Sequence, residues 1–210
     1  MILHTVVTGP LEVNCYLVGC EKTNKAAVID PGGNAERIIS VIDDNKLDPS
    51  HILLTHGHWD HIGAVGILKR KYGAAVFLHE DDKRLYANAC QQAQLFGFEI
   101  DTAPPVDHFL KGGDNIQIGA LDLRVIHTPG HSMGSVCFLG ESEIFTGDLV
   151  FAGAFGRTDL PGGNSELLRD SIKSKILVLP CRTIIYPGHG TPTTVFDEKS
   201  GNSIWIQGLE

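Results

Sequence analysis

Three imidazoles and a carboxylate fall within six residues in His56-Gly57-His58-Trp59-Asp60-His61. Imidazole and carboxylate are the usual ligands of zinc, iron and manganese. On a turn, His56 and His58 can point one way while Asp60 and His61 point to a second site, so the loop suits two neighbouring metals better than one. Each ion needs three or four ligands, and the loop alone does not supply two full sets. His131, His189 and Asp148 are the other donors available. A carboxylate bridges two cations through its two oxygens, which an imidazole does not do. The allocation that follows puts His56, His58 and His131 on one metal, Asp60, His61 and His189 on the other, and Asp148 between them. Two divalent ions, zinc first with iron or manganese as alternatives, make a bridging water ionise near neutral pH and supply hydroxide without a protein nucleophile. Asp60, beside that water, is expected to orient it and shuttle a proton. Cys15 has no evident activating partner, so covalent catalysis through a cysteine is not expected.

The elements that would hold these donors share a pattern. Ile52-Leu53-Leu54 runs into Thr55-His56-Gly57-His58, Arg124-Val125-Ile126 leads to Thr128-Pro129-Gly130-His131, and Thr183-Ile184-Ile185 runs into Tyr186-Pro187-Gly188-His189. Phe145-Thr146-Gly147-Asp148 is a fourth strand ending with a glycine. Loops at strand ends are where α/β folds build sites. Strand-like runs cover 3–7, 14–18, 26–29, 52–55, 75–78, 115–118, 121–127, 135–139, 143–145 and 183–186. Helix-like segments cover 35–44, 62–72, 82–96 and 165–177. Strands and helices mix in both halves without a linker, so residues 1–210 read as one layered α/β domain.

Composition narrows the function. The chain has 25 acidic and 17 basic residues and a formal net charge of −8. Such a surface repels nucleic acid and anionic lipid, so neither is expected as a partner. Lys69-Arg70-Lys71 reads as a solvated helix end rather than a phosphate patch. No apolar run approaches a membrane span and no signal peptide is evident, so a cytoplasmic location is expected. Cys15, Cys20, Cys90, Cys137 and Cys181 form no Cys-x-x-Cys pair and read as small buried or half-buried residues. His4, His51, His79, His108 and His127 read as ordinary hydrogen-bonded histidines. A monomer is favoured, with Ser203-Ile204-Trp205-Ile206 either closing the core or forming a contact.

The ordered set His56-Gly57-His58-Trp59-Asp60-His61, His131, Asp148 and His189 resembles the metallo-β-lactamase superfamily across nearly the whole chain. Asn14-Cys15-Tyr16-Leu17-Val18 and Val28-Ile29-Asp30-Pro31-Gly32 are similar to its N-terminal strands. The resemblance implies a four-layer αβ/βα sandwich, with the metals at one edge between the sheets and ligand roles matching the allocation above. It also implies that Asp30 braces the metal loop; the alternative is a turn-forming aspartate before Pro31.

Within the family, residues 147–163 resemble the glyoxalase II-type branch, and most closely its short bacterial hydrolases. That resemblance implies hydrolysis of a small-molecule glutathione thioester such as S-D-lactoylglutathione, with Arg157 binding the glutathione part. Two departures bear on substrate rather than chemistry: the chain stops at Glu210 and is expected to lack most of the C-terminal helical domain of longer members, and Asp159 stands where they carry an aromatic residue. Gly156-Arg157-Thr158-Asp159 also resembles the persulfide dioxygenases, which hold a single iron with the residues matching His56, His131 and Asp148. The second donor set, Asp60, His61 and His189, argues against that alternative. A metal-binding module without hydrolase activity is the remaining one, and retention of all seven donors argues against it.

Overall fold

Alternating burial along the strands builds the layers of the computed structural model, which describes residues 1–201. The segment Ser203-Ile204-Trp205-Ile206 lies outside the described residues. One six-stranded sheet runs in the order β1 (Ile2–Thr8), β2 (Val13–Gly19), β3 (Lys25–Ile29), β4 (Asp48–Leu53), β5 (Ala75–His79) and β6 (His108–Leu110). Its first three strands are antiparallel, and β3 to β6 are parallel. The second sheet is built from β7 (Asn115–Ile118), β8 (Leu121–His127), β9 (Val136–Leu139), β10 (Glu143–Gly147), β13 (Ile184–Pro187) and β14 (Thr193–Thr194), paired in that order. There β10 and β13 run parallel and the other neighbours antiparallel. A small hairpin, β11 (Val150–Phe151) with β12 (Ala154–Phe155), follows β10.

Side chains alternate between the faces of a strand, and here both faces find a partner. In β2, Cys15 and Leu17 join a core with Ile38, Ile42, Val65 and Leu68, from α1 (Ala35–Asp44) and α2 (Val65–Tyr72). Tyr16 and Val18 of the same strand join a core between the sheets with Val125, Phe138 and Phe145. In β10, Phe145 enters that central core, whereas Ile144 packs with Leu168, Ile172 and Ile176. Those residues lie on α5 (Ser165–Ser171) and the π-type turn that continues it over Ile172–Ile176. Three cores therefore separate four layers, and the expected αβ/βα sandwich is present. Strands covered on both faces read as continuous apolar runs, and every residue of β2 is buried.

Several boundaries differ from the sequence expectation. The helix expected over 82–96 divides into α3 (Lys83–Ala87) and α4 (Ala89–Leu95). At the break, the Asn88 side chain donates to the Arg84 carbonyl at 2.9 Å and competes with the helical backbone pattern. The helix expected from 62 begins at Val65, because Trp59–His61 forms a separate 3-10 turn. The last expected helix changes to the π-type turn at Ile172. The short strands β6, β11, β12 and β14, and α6 (Val195–Gly201), were not anticipated; most are too short to show a period. Cys181 is exposed rather than buried, and Cys90 is half-buried. Lys69 at the end of α2 pairs with Asp107 at 2.6 Å, consistent with a solvated helix end. Among the described residues, no helix is long and apolar enough to cross a membrane.

Candidate metal centre

Strands of both sheets end at one edge of the sandwich, and the seven expected donors meet there. His56 and His58 follow β4, Asp60 and His61 lie in the 3-10 turn, His131 follows β8, Asp148 follows β10 and His189 follows β13. His56, His58, Asp60, His61 and His131 are buried; Asp148 and His189 are half-buried. Two glycines allow this convergence by lacking a side chain. A Cβ on Gly57 would sit 2.9 Å from the Tyr86 backbone nitrogen, and one on Gly188 would collide with Asp148 Oδ1.

The donors fall into two groups whose ligand atoms lie within 4.8 Å of one another: His56, His58 and His131, and Asp60, His61 and His189. Asp148 spans them. Its Oδ2 lies 3.6 Å from His131 Nε2 and 3.6 Å from His189 Nε2, and its Oδ1 lies 3.4 Å from His61 Nε2. Asp60 Oδ2 is 3.6 Å from the Nε2 atoms of both His61 and His189.

Outer hydrogen bonds set which nitrogen of each ring faces inward. Asp30 accepts from Thr55 N at 2.8 Å and Thr55 Oγ1 at 2.6 Å. The Thr55 hydroxyl, with its proton so engaged, accepts from His56 Nδ1 at 3.0 Å. His61 Nδ1 donates to Asp30 at 3.0 Å, His131 Nδ1 to the Arg157 carbonyl at 2.8 Å, and His189 Nδ1 to the Leu11 carbonyl at 2.9 Å. Each of these four rings turns Nε2 toward the cluster, whereas His58 presents Nδ1, 2.8 Å from His131 Nε2. The buried atoms His56 Nε2, His61 Nε2 and Asp148 Oδ1 have no hydrogen-bond partner. Buried polar atoms are normally satisfied, so orphaned lone pairs facing one another fit a pair of cations. Asp30 meets the bracing role implied by the resemblance: its oxygens are engaged by Thr55 and His61.

Electrostatics divides the cluster. Burial, then His61 and His131, pushes His56 well below its ordinary value. Burial, then His131, brings His58 down to about 3. For His61, burial acts downward but Asp148, Asp60 and Asp30 outweigh it and hold the ring well above the usual value. Burial likewise acts downward on His189, and the bond to Asp60 with the charge of Asp148 raises it. Burial would raise Asp148, yet His61, His131 and His56 hold it well below the usual carboxylate range. The carboxylates that raise His61 and His189 thus favour positive charge at this position, which a bound cation would supply. Below their raised values these rings are protonated, so metal affinity is expected to fall as pH falls and to level off once both are neutral. Zinc titration in buffers of differing ionisation enthalpy should read a net release of protons that is larger at lower pH. No release would contradict this account.

Asp82 was missed in the sequence. It is buried, with Oδ2 accepting from Gly57 N at 2.9 Å and Ser132 Oγ at 2.6 Å, and Oδ1 accepting from Gly134 N at 2.7 Å. One carboxylate thereby ties the His56–His58 loop to the turn that carries His131. Its place in Glu80-Asp81-Asp82 gives no spacing signal; only the contacts reveal it. Asp82→Ala should cost about 3 kcal/mol in urea unfolding, because three donors lose a buried acceptor. It should also weaken metal binding by roughly 10- to 100-fold in chelator competition.

The remaining histidines stay apart from the cluster. His51 and His108 stack on Phe77. His79, Asp81 and His127 form a further group, but the two rings stack at 4.1 Å with 10° between their planes. In-plane lone pairs on parallel rings do not converge on one ion. Arg157 lines the same cavity as the cluster, a space of about 800 Å³, and holds Asp159 through two 2.7 Å bonds.

Comparison with known proteins agrees with this geometry. The chain is 39% identical to the Probable metallo-hydrolase YqgX of Bacillus subtilis over 198 residues, 92% of each protein. It is 39% identical over 206 residues to the Hydroxyacylglutathione hydrolase GloC of Haemophilus influenzae, covering 96% of this chain and 97% of that one. The crystal structure of BLEG-1 B3 metallo-β-lactamase superposes with a TM-score of 0.91 at 39% identity, covering 97% and 99% of the two chains. TTHA1623 in a di-iron-bound form gives 0.88 at 39% identity, covering 95% and 98%. Residues 8–189 match the family described as the metallo-β-lactamase superfamily, and with the sandwich and the converging donors in place, the chain belongs to that superfamily.

Proposed function

We propose that the chain is a binuclear metal-dependent hydrolase that cleaves a glutathione thioester of the S-D-lactoylglutathione type. The observation that carries this reading is the convergence of five ring nitrogens and two carboxylates, several of them buried and unpartnered, at the cavity that Arg157 lines. The likeness to GloC supports the thioester, and the likeness to a di-iron structure supports two ions while leaving zinc, iron and manganese all compatible with the donors.

Bound at this cluster, a cation pair supplies an acidified water and polarises a carbonyl oxygen. The chain's own groups do the rest. Asp60 lines the cavity and takes the proton of the attacking water, then returns it to sulfur as the carbon–sulfur bond breaks. Acid and free thiol are the products. Arg157 offers its guanidinium to an anionic thiol arm, which competes with Asp159 for it. Arg157→Ala should raise KM about fivefold and leave kcat within about twofold, read from steady-state kinetics; an equal loss in kcat would remove Arg157 from substrate binding.

Hydrolysis of S-D-lactoylglutathione by protein of measured metal content tests the proposal. Turnover that scales with two ions per chain supports it. The likeness to BLEG-1 favours a second reading, hydrolysis of a β-lactam amide by the same groups. A β-lactam run in parallel, with the thioester untouched, would favour that reading. Oxygen uptake on glutathione persulfide with one iron per chain and no thioesterase activity would replace both.

A further inference from the structure

We infer that the cavity over the metal centre selects a substrate whose acyl group is an extended apolar arm, aliphatic or aromatic and larger than lactoyl. The inference rests on the hydrolytic reading above and deepens it.

Large exposed apolar side chains on a soluble surface normally occur singly. Four of them line this one cavity: Leu95 at 85% exposure, Phe96 at 49%, Leu11 at 44% and Met133 at 42%. Trp59 extends that surface to the floor, because it lies between His58 and Asp60 in the chain and also lines the cavity. Its indole stacks on Phe98 at 5.1 Å and on Phe96 at 6.2 Å. Aromatic contacts therefore link the donor loop to the end of α4.

Most of the charged groups lining the cavity have other engagements, Asp81 with His79 at 3.7 Å among them. Asp60 and Asp148 belong to the cluster, and the Asp82 oxygens are taken by Gly57, Ser132 and Gly134. Arg157 is held by Asp159 on the segment after β12, and is the group assigned above to the thiol arm. Beside α4 the apolar side chains share the wall with Arg84, Asn88, Gln91 and Gln92; Asn88 and Gln92 are bonded to the Arg84 and Leu85 carbonyls, and the apolar part of the wall falls to the acyl arm. Pockets of this kind take their affinity from apolar area and their orientation from a few polar groups.

Calorimetry of acetate, butanoate, hexanoate and octanoate binding to the metal-loaded protein tests this without turnover. Kd should fall by roughly threefold per added methylene, since each buried methylene contributes close to that factor. Glutathione thioesters with the same acyl series should show the same trend in kcat/KM. The double substitution Leu95→Ser with Phe96→Ser, at two exposed positions, should flatten both trends. A Kd constant within about twofold along the series overturns the inference, as does an unchanged slope in the variant. A steep carboxylate series with no thioester turnover supports the apolar selection and instead removes the thioester reading.

Discussion

Asp148→Ala is expected to reduce kcat/KM by about 10³-fold or more and to drop metal content from two ions per chain to one or none. The reason lies in its position. Its two oxygens are the atoms within 3.6 Å of ring nitrogens in both donor groups, His131 on one side and His61 and His189 on the other. Alanine would separate the two half-sites and remove the carboxylate that balances His61. Asp148→Asn, nearly isosteric, keeps the shape but lowers the charge, so it should retain more metal than alanine while remaining strongly impaired. Elemental analysis after gel filtration, paired with steady-state kinetics, reads both effects. Two ions retained per chain in the alanine variant would exclude a bridging role for Asp148.

Removing the metals should be the second large effect. Activity should vanish on chelation, and the protein should lose about 4 kcal/mol of apparent stability relative to a sample at a thousandfold excess over Kd. For a chain of this size that is a fall in Tm of roughly 10 °C. Far-UV circular dichroism should change little, because the three apolar cores contain none of the donors. Re-addition of zinc, iron or manganese should restore activity at concentrations that follow their intrinsic affinities, manganese needing the most. An unchanged Tm after complete metal removal would mean that the cluster gains nothing from a cation.

Much of this site was legible in the sequence, for a physical reason. The donors come from strand ends, and a strand end followed by a glycine turn leaves a local signature, repeated at Gly57-His58, Gly130-His131 and Gly188-His189. The strand β2 was equally plain, because it buries both faces and so reads as a nearly continuous apolar run. What escaped were features defined by distant contacts. Asp82 resembles any solvated acidic residue until the turn carrying Ser132 and Gly134 folds against it. Asn88 gives no warning that its side chain will interrupt a helix, and strands of two or three residues carry no period. Leu95 and Phe96 follow an amphipathic segment and pass for core positions, yet they are exposed at the cavity.

The strand β2 holds the far end of the chain. Asn14 N donates to the Gly188 carbonyl at 2.7 Å, and Asn14 Nδ2 donates to the Pro187 and Gly190 carbonyls at 3.0 and 2.8 Å. Early-translated residues therefore clasp the turn on which the last imidazole, His189, is mounted. The site is therefore complete only when strands from the two ends of the sequence have met, so a cut that separates residue 14 from residue 189 would detach one imidazole while leaving His56, His58 and His131 on the remaining strands.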